Sequence, residues 1–462
     1  MPTRLIALWD LVLPLGLILS LMTQLRPEDA PVGPGELLLV LWLIPRLLVV
    51  LWNYRLAATP RAFFDLLIFW VIFAASLCFG FMVSIVQAQF VDWSLTLHDI
   101  ISYSLLAVLG AALTIGSESP QRLRRLFRNT SLVGGAAVLV QVLQGQYAPI
   151  IGTLDLWYWD RFRGWCLNPN QFALFCLALG ALSIAASENE PSRQFRILTI
   201  VSACITFAAG FLAQSNAYNG VAIIMVLGFV FAKILRATPI AALLRSTIFW
   251  AVVSGTAALL LTAIVLTPAL RSNANGASPL FFMRDKENTD QEAALRIALW
   301  TQAIQLGVES WYLGRGPGPH LTIPTSLLIE RREASDPLNL VHPKLGLAAN
   351  FEAHNTALEL FVQGGALATA SFLSLCLMAF WRALRSQADG LAIGLIALVS
   401  FGSFHVIFRH PIVWFLIVGA LSAPKMLARN RAPSEPRQTI RRNGLNSRTP
   451  HADENPGWSL QT

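Results

Sequence analysis

Charged residues are scarce in this chain. Asp, Glu, Lys and Arg make up 13% of its 462 residues, about half the share found in soluble globular domains. The deficit falls in long apolar runs rather than in a low-complexity tract, and this excludes an ordinary soluble enzyme. Nowhere does the alternating ten-residue pattern of an outer-membrane barrel appear. Cysteine is equally sparse. There are five, an odd number, and Cys78, Cys176, Cys204 and Cys376 fall inside apolar runs, where a thiol behaves as a small hydrophobe. Only Cys166 is expected near the surface, so neither a disulfide framework nor a zinc site is indicated. The Gly314-Arg315-Gly316-Pro317-Gly318-Pro319 stretch is not a nucleotide loop: no strand precedes it and no Lys-Ser/Thr follows.

What is present is hydrophobicity, at 55% of the residues. A helix of ~20 apolar residues crosses the hydrocarbon core of a bilayer, and lipid offers no partner for a bare peptide group. The apolar runs therefore predict an all-α polytopic membrane protein with about 12 transmembrane helices. The expected spans are residues 5–24, 35–53, 63–86, 97–116, 130–146, 169–187, 195–213, 219–236, 246–267, 354–380, 391–407 and 411–423. The stretch from Met1 to Leu25 has no small-x-small cleavage site before Arg26 and reads as the first helix, not as a signal peptide.

Basic residues alternate with these spans. With the N-terminus in the cytoplasm, the inside segments carry Arg4; Arg55 and Arg61; Arg122, Arg124, Arg125 and Arg128; Arg193 and Arg196; Lys233, Arg236 and Arg245; and Arg382 and Arg385. The short outside loops carry only Arg26, Arg161, Arg163 and Arg409. This is the positive-inside pattern, and it accounts for the net charge of +8 without nucleic acid as a partner. The expected organisation is residues 1–267 for helices one to nine, 268–353 for a large outward loop, 354–423 for helices ten to twelve, and 424–462 for a basic tail. The tail's Arg, Pro, Asn and Ser content predicts disorder on the cytoplasmic side, where it can lie against anionic membrane lipids.

Inside the long loop, Leu295, Leu299, Ala303 and Leu306 fall on one face of a helix predicted at 291–309, with Arg296 and Trp300 together on its flank. The alternating Gly and Pro of 314–319 follow as a tight, rigid turn.

Polar residues at membrane depth need a reason. Arg161-Phe162-Arg163-Gly164 precedes the sixth helix, and Asn168 is placed to cap that helix with Pro169 at its first position and Asn170 next. Gln214-Ser215-Asn216-Ala217-Tyr218-Asn219-Gly220 reads as a short outer turn. His354, Asn355 and Glu359 stand where the chain re-enters the membrane, and His354 is expected in the first turn of the tenth helix. There the helix dipole favours a neutral ring, and a neutral imidazole can accept a proton as a general base. His405, Arg409 and His410 at the last outer turn read as loop anchors. Glu28 and Asp29 are the one adjacent acidic pair in an early loop, and the flanking Pro27 and Pro31 make them an ordinary turn. Arginine supplies a planar fork of donors suited to phosphate. A set of outer-face arginines with one histidine thus points to an anionic lipid head group beside a proton-transfer residue.

These residues resemble the O-antigen ligase and polymerase superfamily of bacterial envelope glycosyltransferases. The likeness runs from about Arg161 to Gly419. It rests on Arg161 and Gly164 with Asn168-Pro169-Asn170, on Arg296 with Trp300, on the Gly314/Gly316/Gly318 turn, and on His354-Asn355 followed by Leu358-Glu359 and Gly364-Gly365. The resemblance implies a C-type glycosyltransferase fold in the inner membrane, working without metal or cofactor. It implies a glycan carried on undecaprenyl diphosphate and an acceptor hydroxyl on lipid A–core or on a growing polysaccharide. Carried over by position, Arg161 and Arg296 grip the diphosphate, with Arg163 sharing that task, and His354 activates the acceptor. Asn168, Asn170, Ser215, Trp300, Arg315, Asn355 and Glu359 are the supporting residues. Many relatives carry Ser-Arg-Gly at the short turn before the eighth helix; here Asn216 follows Ser215, and either Arg163 or Arg315 is expected to replace the missing arginine. A lipid flippase or transporter, and a non-catalytic assembly scaffold, are the competing readings; no matching halves of a transporter repeat are visible.

Overall fold

The computed structural model describes residues 9–27, 32–53, 61–87, 92–115, 120–147, 150–151, 154–158, 161–237, 286–324, 341–342 and 347–428. Its helices are α1 (Val12–Leu19), α2 (Pro34–Asn53), α3 (Arg61–Val86), α4 (Trp93–Ile115), α5 (Pro120–Tyr147), α6 (Pro169–Asn189), α7 (Arg193–Phe211), α8 (Asn216–Ala237), α9 (Lys286–Glu309), α10 (Thr356–Arg385), α11 (Asp389–Gly402) and α12 (Pro411–Ala428). Seven of them, α3 to α8 and α10, are long and apolar enough to cross a membrane, and α11 and α12 are shorter apolar helices. This is a multi-pass membrane protein. The predicted span at 246–267, the acidic pair Glu28–Asp29 and the tail beyond Ala428 lie outside the described residues.

The helices form because each apolar run must satisfy its own backbone once out of water. α6 is the central one. Phe172, Phe175, Cys176, Leu177, Leu179 and Leu182 are all fully buried, and α5, α7 and α11 pack against it. The outer helices are apolar on their exposed sides instead: Ile68, Val71 and Met82 of α3 and Ile197 and Val201 of α7 are all exposed, as lipid-facing residues should be. Cys166, expected near the surface, is fully buried, while Cys78 and Cys204 are exposed. They sit on the lipid-facing sides of apolar helices, and Cys166 is folded under a hairpin that the hydrophobic pattern gives no hint of.

Three small antiparallel sheets also depart from the all-helical expectation. Two are hairpins before α6: β1 (Ile150–Ile151) with β2 (Leu154–Asp155), and β3 (Trp157–Tyr158) with β4 (Arg161–Phe162). The third joins β5 (Leu321–Pro324), β6 (Val341–His342) and β7 (Leu347–Phe351) in the order β5-β7-β6. Strands this short carry too few residues to show a period.

Polar contacts between segments fall into two groups. In one, Asp10 accepts from Arg46 and Arg122, Arg382 pairs with Asp65, Lys233 with Glu188 and Asp389, and Arg128 with Glu190. In the other, Gln24 donates to the carbonyls of Gly164 and Cys166, Gln87 to that of Glu309, and Arg409 to Asp99.

The glycine-rich turn is built into a broken helix. Gly365, inside α10, has φ 69° and ψ −165°, a conformation open in practice only to glycine. The break frees backbone groups, and the turn takes them up. Arg315 N–H donates to Val362 C=O at 2.7 Å, Gly316 N–H to Gln363 C=O at 2.8 Å, and Ala366 N–H to Tyr312 C=O at 2.9 Å. The approach is close enough that a Cβ on Gly365 would stand 2.0 Å from Tyr312 O, and one on Gly314 would stand 2.5 Å from Gln363 O. Gly80 of α3 closes the third side, at 2.6 Å from Gly316 N by the same measure. Ser84 of α3 adds a hydrogen bond to Arg315 C=O at 2.6 Å. Loop helix α9 is held in the same place: Leu299 and Ala303, fully buried, pack with Leu321, Ile323, Ala353 and Val362, and Leu295 and Leu306 lie against this cluster. The predicted apolar face of α9 is thus the buried one.

Gly365→Ala is therefore expected to cost on the order of 1–3 kcal/mol in backbone strain alone, with the clash added. Thermal unfolding of the detergent-purified variant should show a clearly lowered midpoint; a wild-type midpoint would refute this account of the turn.

Candidate active site

The site begins with Asn355. Its side-chain oxygen accepts from Leu358 N–H at 3.1 Å and caps α10, while its amide donates to Ser403 C=O at 2.9 Å. Thr356 follows suit: its hydroxyl donates to His405 C=O at 2.7 Å and accepts from Ile407 N–H at 3.0 Å. The start of α10 is thereby stitched to the turn of residues 403–410. His354 precedes the cap and is not in the first helical turn as expected, because Asn355 takes the capping position. His354 has φ 49°, a left-handed conformation uncommon for a residue with a side chain. It is held there from both sides, by the cap and by Glu359, whose carboxylate accepts from Ala353 N–H at 2.8 Å.

Arg161 reaches the same region from β4. It is 6% exposed; its Nε donates to Ala213 C=O at 3.0 Å and a terminal nitrogen to Asn170 Oδ1 at 2.9 Å. Asn168 caps α6 through Asn170 N–H at 2.8 Å, with Pro169 at the first helical position. Asn168 and Asn170 thus serve Arg161 in sequence, one fixing the helix start and the other the guanidinium. Gly164, at φ 54°, turns the chain beneath Gln141, whose oxygen accepts from Trp165 N–H at 2.9 Å.

Arg296 and Trp300 come from α9. Trp300 tilts towards Phe404 with ring centroids 6.5 Å apart, which sets this flank of the loop helix against the 403–410 turn. The turn's own histidine, His405, stacks on Phe401 at 4.5 Å. Burial pushes its pKa well down, and Arg296, His354 and Arg161 push the same way. Three residues from three separate stretches of chain therefore bear electrostatically on one imidazole.

Not every expected residue joins them. Arg163 is committed to its hairpin: it donates to Asp155 C=O at 2.9 Å, to Leu167 C=O at 3.1 Å and to Asp155 Oδ2 at 3.0 Å. Arg315 is buried in the glycine-rich turn and pairs with Glu309 at 3.1 Å. Both candidates to replace the arginine absent at Asn216 are thus held in other ion pairs. Ser215 is buried, and its carbonyl accepts from Asn219 N–H at 2.9 Å as α8 begins.

A second cluster was not legible in the sequence. Arg409 donates to Glu352, to Asp99 Oδ2 at 2.9 Å and to Glu359 Oε1 at 3.4 Å. Gln363 donates to the same Asp99 and Glu359 oxygens at 3.2 and 2.8 Å, and accepts from Tyr103 O–H at 2.7 Å. Asp99 also accepts from Gly318 N–H at 3.0 Å. Burial works against the charge of Arg409, but Glu352, Tyr103, Asp99 and Glu359 more than offset it and hold it protonated. Next to it, burial brings His410 down to about 4, so that ring is neutral at neutral pH. Arg409 is thus a structural cation clamping α4, α10 and the glycine-rich turn, in keeping with its reading as an anchor. Glu359 belongs to this network as much as to His354. Asp99, alone in an apolar span, gave no sign beyond being a carboxylate at membrane depth.

The two kinds of arginine separate by test. Arg409→Gln leaves Asp99 and Glu359 buried without their cation, a loss of roughly 3–5 kcal/mol, and should sharply reduce the amount of folded protein in the membrane. Arg296→Gln should leave that amount near wild type while abolishing activity; equal losses of protein in the two variants would contradict the distinction.

Residues 197–373 match the family model described as O-antigen ligase. No curated protein matches the chain. The matched stretch contains Arg296, the glycine-rich turn, His354 and Asn355; Arg161 and the 403–410 turn flank it and are joined to it by the contacts above. The match over residues 197–373 supports the resemblance of this chain to the O-antigen ligase and polymerase superfamily of glycan-transferring membrane proteins.

Proposed function

We propose that the protein transfers a glycan from undecaprenyl diphosphate to an acceptor hydroxyl, at the outer face of the bacterial inner membrane and without a metal. The observation that carries this is the gathering of Arg161, Arg296 and His354 around the 403–405 turn. The charge alternation supports cytoplasmic N- and C-termini, which puts that turn on the outer side.

In this reading His354 takes the proton of the acceptor hydroxyl as its oxygen bonds to the anomeric carbon. The bond from that carbon to the phosphate oxygen breaks, and its electron pair leaves with the lipid diphosphate. Arg161 and Arg296 meet the growing negative charge. A fixed donor of this kind is worth ~10²–10³ in rate, and a positioned base ~10²–10⁴. Arg161 suits the task because its other nitrogens are already pinned by Ala213 and Asn170, so little side-chain freedom is lost on binding. The acceptor is lipid A–core for a ligase and the next repeat unit for a polymerase.

His354→Ala is expected to abolish glycan transfer while the protein still accumulates in the membrane. Electrophoresis of envelope glycans reads the result and also separates the two acceptors. Bare lipid A–core with accumulating lipid-linked polymer denotes a ligase; core bearing one repeat, or loss of a secreted polysaccharide, denotes a polymerase. Unchanged glycans in the variant would end the proposal.

A further inference from the structure

Two buried ring nitrogens near His354 have no hydrogen-bond partner among the described residues: Nε2 of His405 and Nε1 of Trp300. Buried polar atoms are nearly always paired, and an orphan calls for an account. His405 is 8% exposed and is not loose. Its ring stacks on Phe401 and its carbonyl receives the Thr356 hydroxyl, so the nitrogen is held where it is by packing. Trp300 leans on Phe404, the residue next to His405, and stands one helical turn from Arg296. Both orphans are therefore held at one place, the contact of the 403–405 turn with α9.

Their chemistry restricts what fills it. An indole N–H can only donate. Arginine likewise only donates, and Arg161 and Arg296 both bear on His405 electrostatically. Among the described residues the other titratable group bearing on it is His354, and none of the three is an acid. A neutral imidazole can present Nε2 either as N–H or as a lone pair. Beside an anion brought in by two guanidinium groups a lone pair would be repelled, so the N–H tautomer is the one that fits. The two guanidinium groups, the indole and this imidazole then all present donors, and the ligand that suits them is an anion rich in acceptor oxygens.

We propose that His405 is a ligand-contacting residue whose Nε2–H donates to a diphosphate oxygen of the lipid-linked donor, alongside Arg161 and Arg296, with Trp300 Nε1–H as a second neutral donor. This rests on the glycan-transfer reading above and assigns to the turn a task beyond anchoring. Because both added donors are neutral, they bind the leaving group without adding to the mutual repulsion of the arginines when the site is empty.

The test uses the full-length protein in detergent and the equilibrium binding of undecaprenyl diphosphate. His405→Phe keeps the ring on Phe401 and removes the nitrogens. Affinity should fall roughly 10- to 100-fold, the size of a lost hydrogen bond to a charged group. Its unfolding midpoint should hold or rise, since an unpaired buried polar atom has been replaced by carbon of similar shape. His405→Gln, which restores an N–H, should recover most of the affinity, and Trp300→Phe should show a smaller loss. Wild-type affinity in His405→Phe, or a weakened affinity that comes with a lowered midpoint and no rescue by glutamine, would overturn the inference while leaving glycan transfer standing. Failure of the wild-type protein to bind undecaprenyl diphosphate would overturn both.

Discussion

The architecture depends on backbone hydrogen bonds made across a broken helix. In lipid a free peptide group has nowhere to turn, and a helix can be interrupted only where protein supplies the missing partners. At Gly365 the partners are the carbonyl of Tyr312 and the amides of Arg315 and Gly316. This contact holds the glycine-rich turn against α10 and fixes where α9 lies relative to α10. Arg296 lies on α9 and His354 just before the cap of α10, so their relation to one another is set by a handful of main-chain bonds that no side-chain change can easily redirect.

Around that joint the protein uses arginine in two ways. Arg409 is surrounded by acids and spends its donors on them; it holds helices together. Arg161 donates to a carbonyl and a neutral amide, and these fix its position. Arg163 and Arg315, paired with Asp155 and Glu309, fall on the structural side of this divide.

Much of this was readable from residue order. The apolar runs gave the helices because a spanning helix has one physical solution; the Asn-Pro at 168–169 gave the start of α6, and the spacing of Leu295 to Leu306 gave the buried face of α9. His354 was identifiable as a polar residue at a re-entry point, but its place outside the helix was not, since either His354 or Asn355 can cap in principle and only the turn at 403–407 decides. The hairpins before α6 and the Asp99–Arg409 cluster were hidden for a different reason. Two-residue strands have no periodicity, and a pair separated by hundreds of residues leaves no local trace. His405 was visible as a residue and not as a contact, because its neighbours come from four separate parts of the chain.

The distance along the chain between Asp99 and Arg409 carries a consequence for biosynthesis. These partners lie 310 residues apart, so Asp99 enters the bilayer long before its cation has been translated. Throughout that interval the carboxylate must stay wetted at the surface or borrow a temporary partner. The final turn of the polypeptide closes the molecule, and a ribosome that stops short of it leaves behind a product whose early helices are inserted but whose acids still face the membrane unanswered.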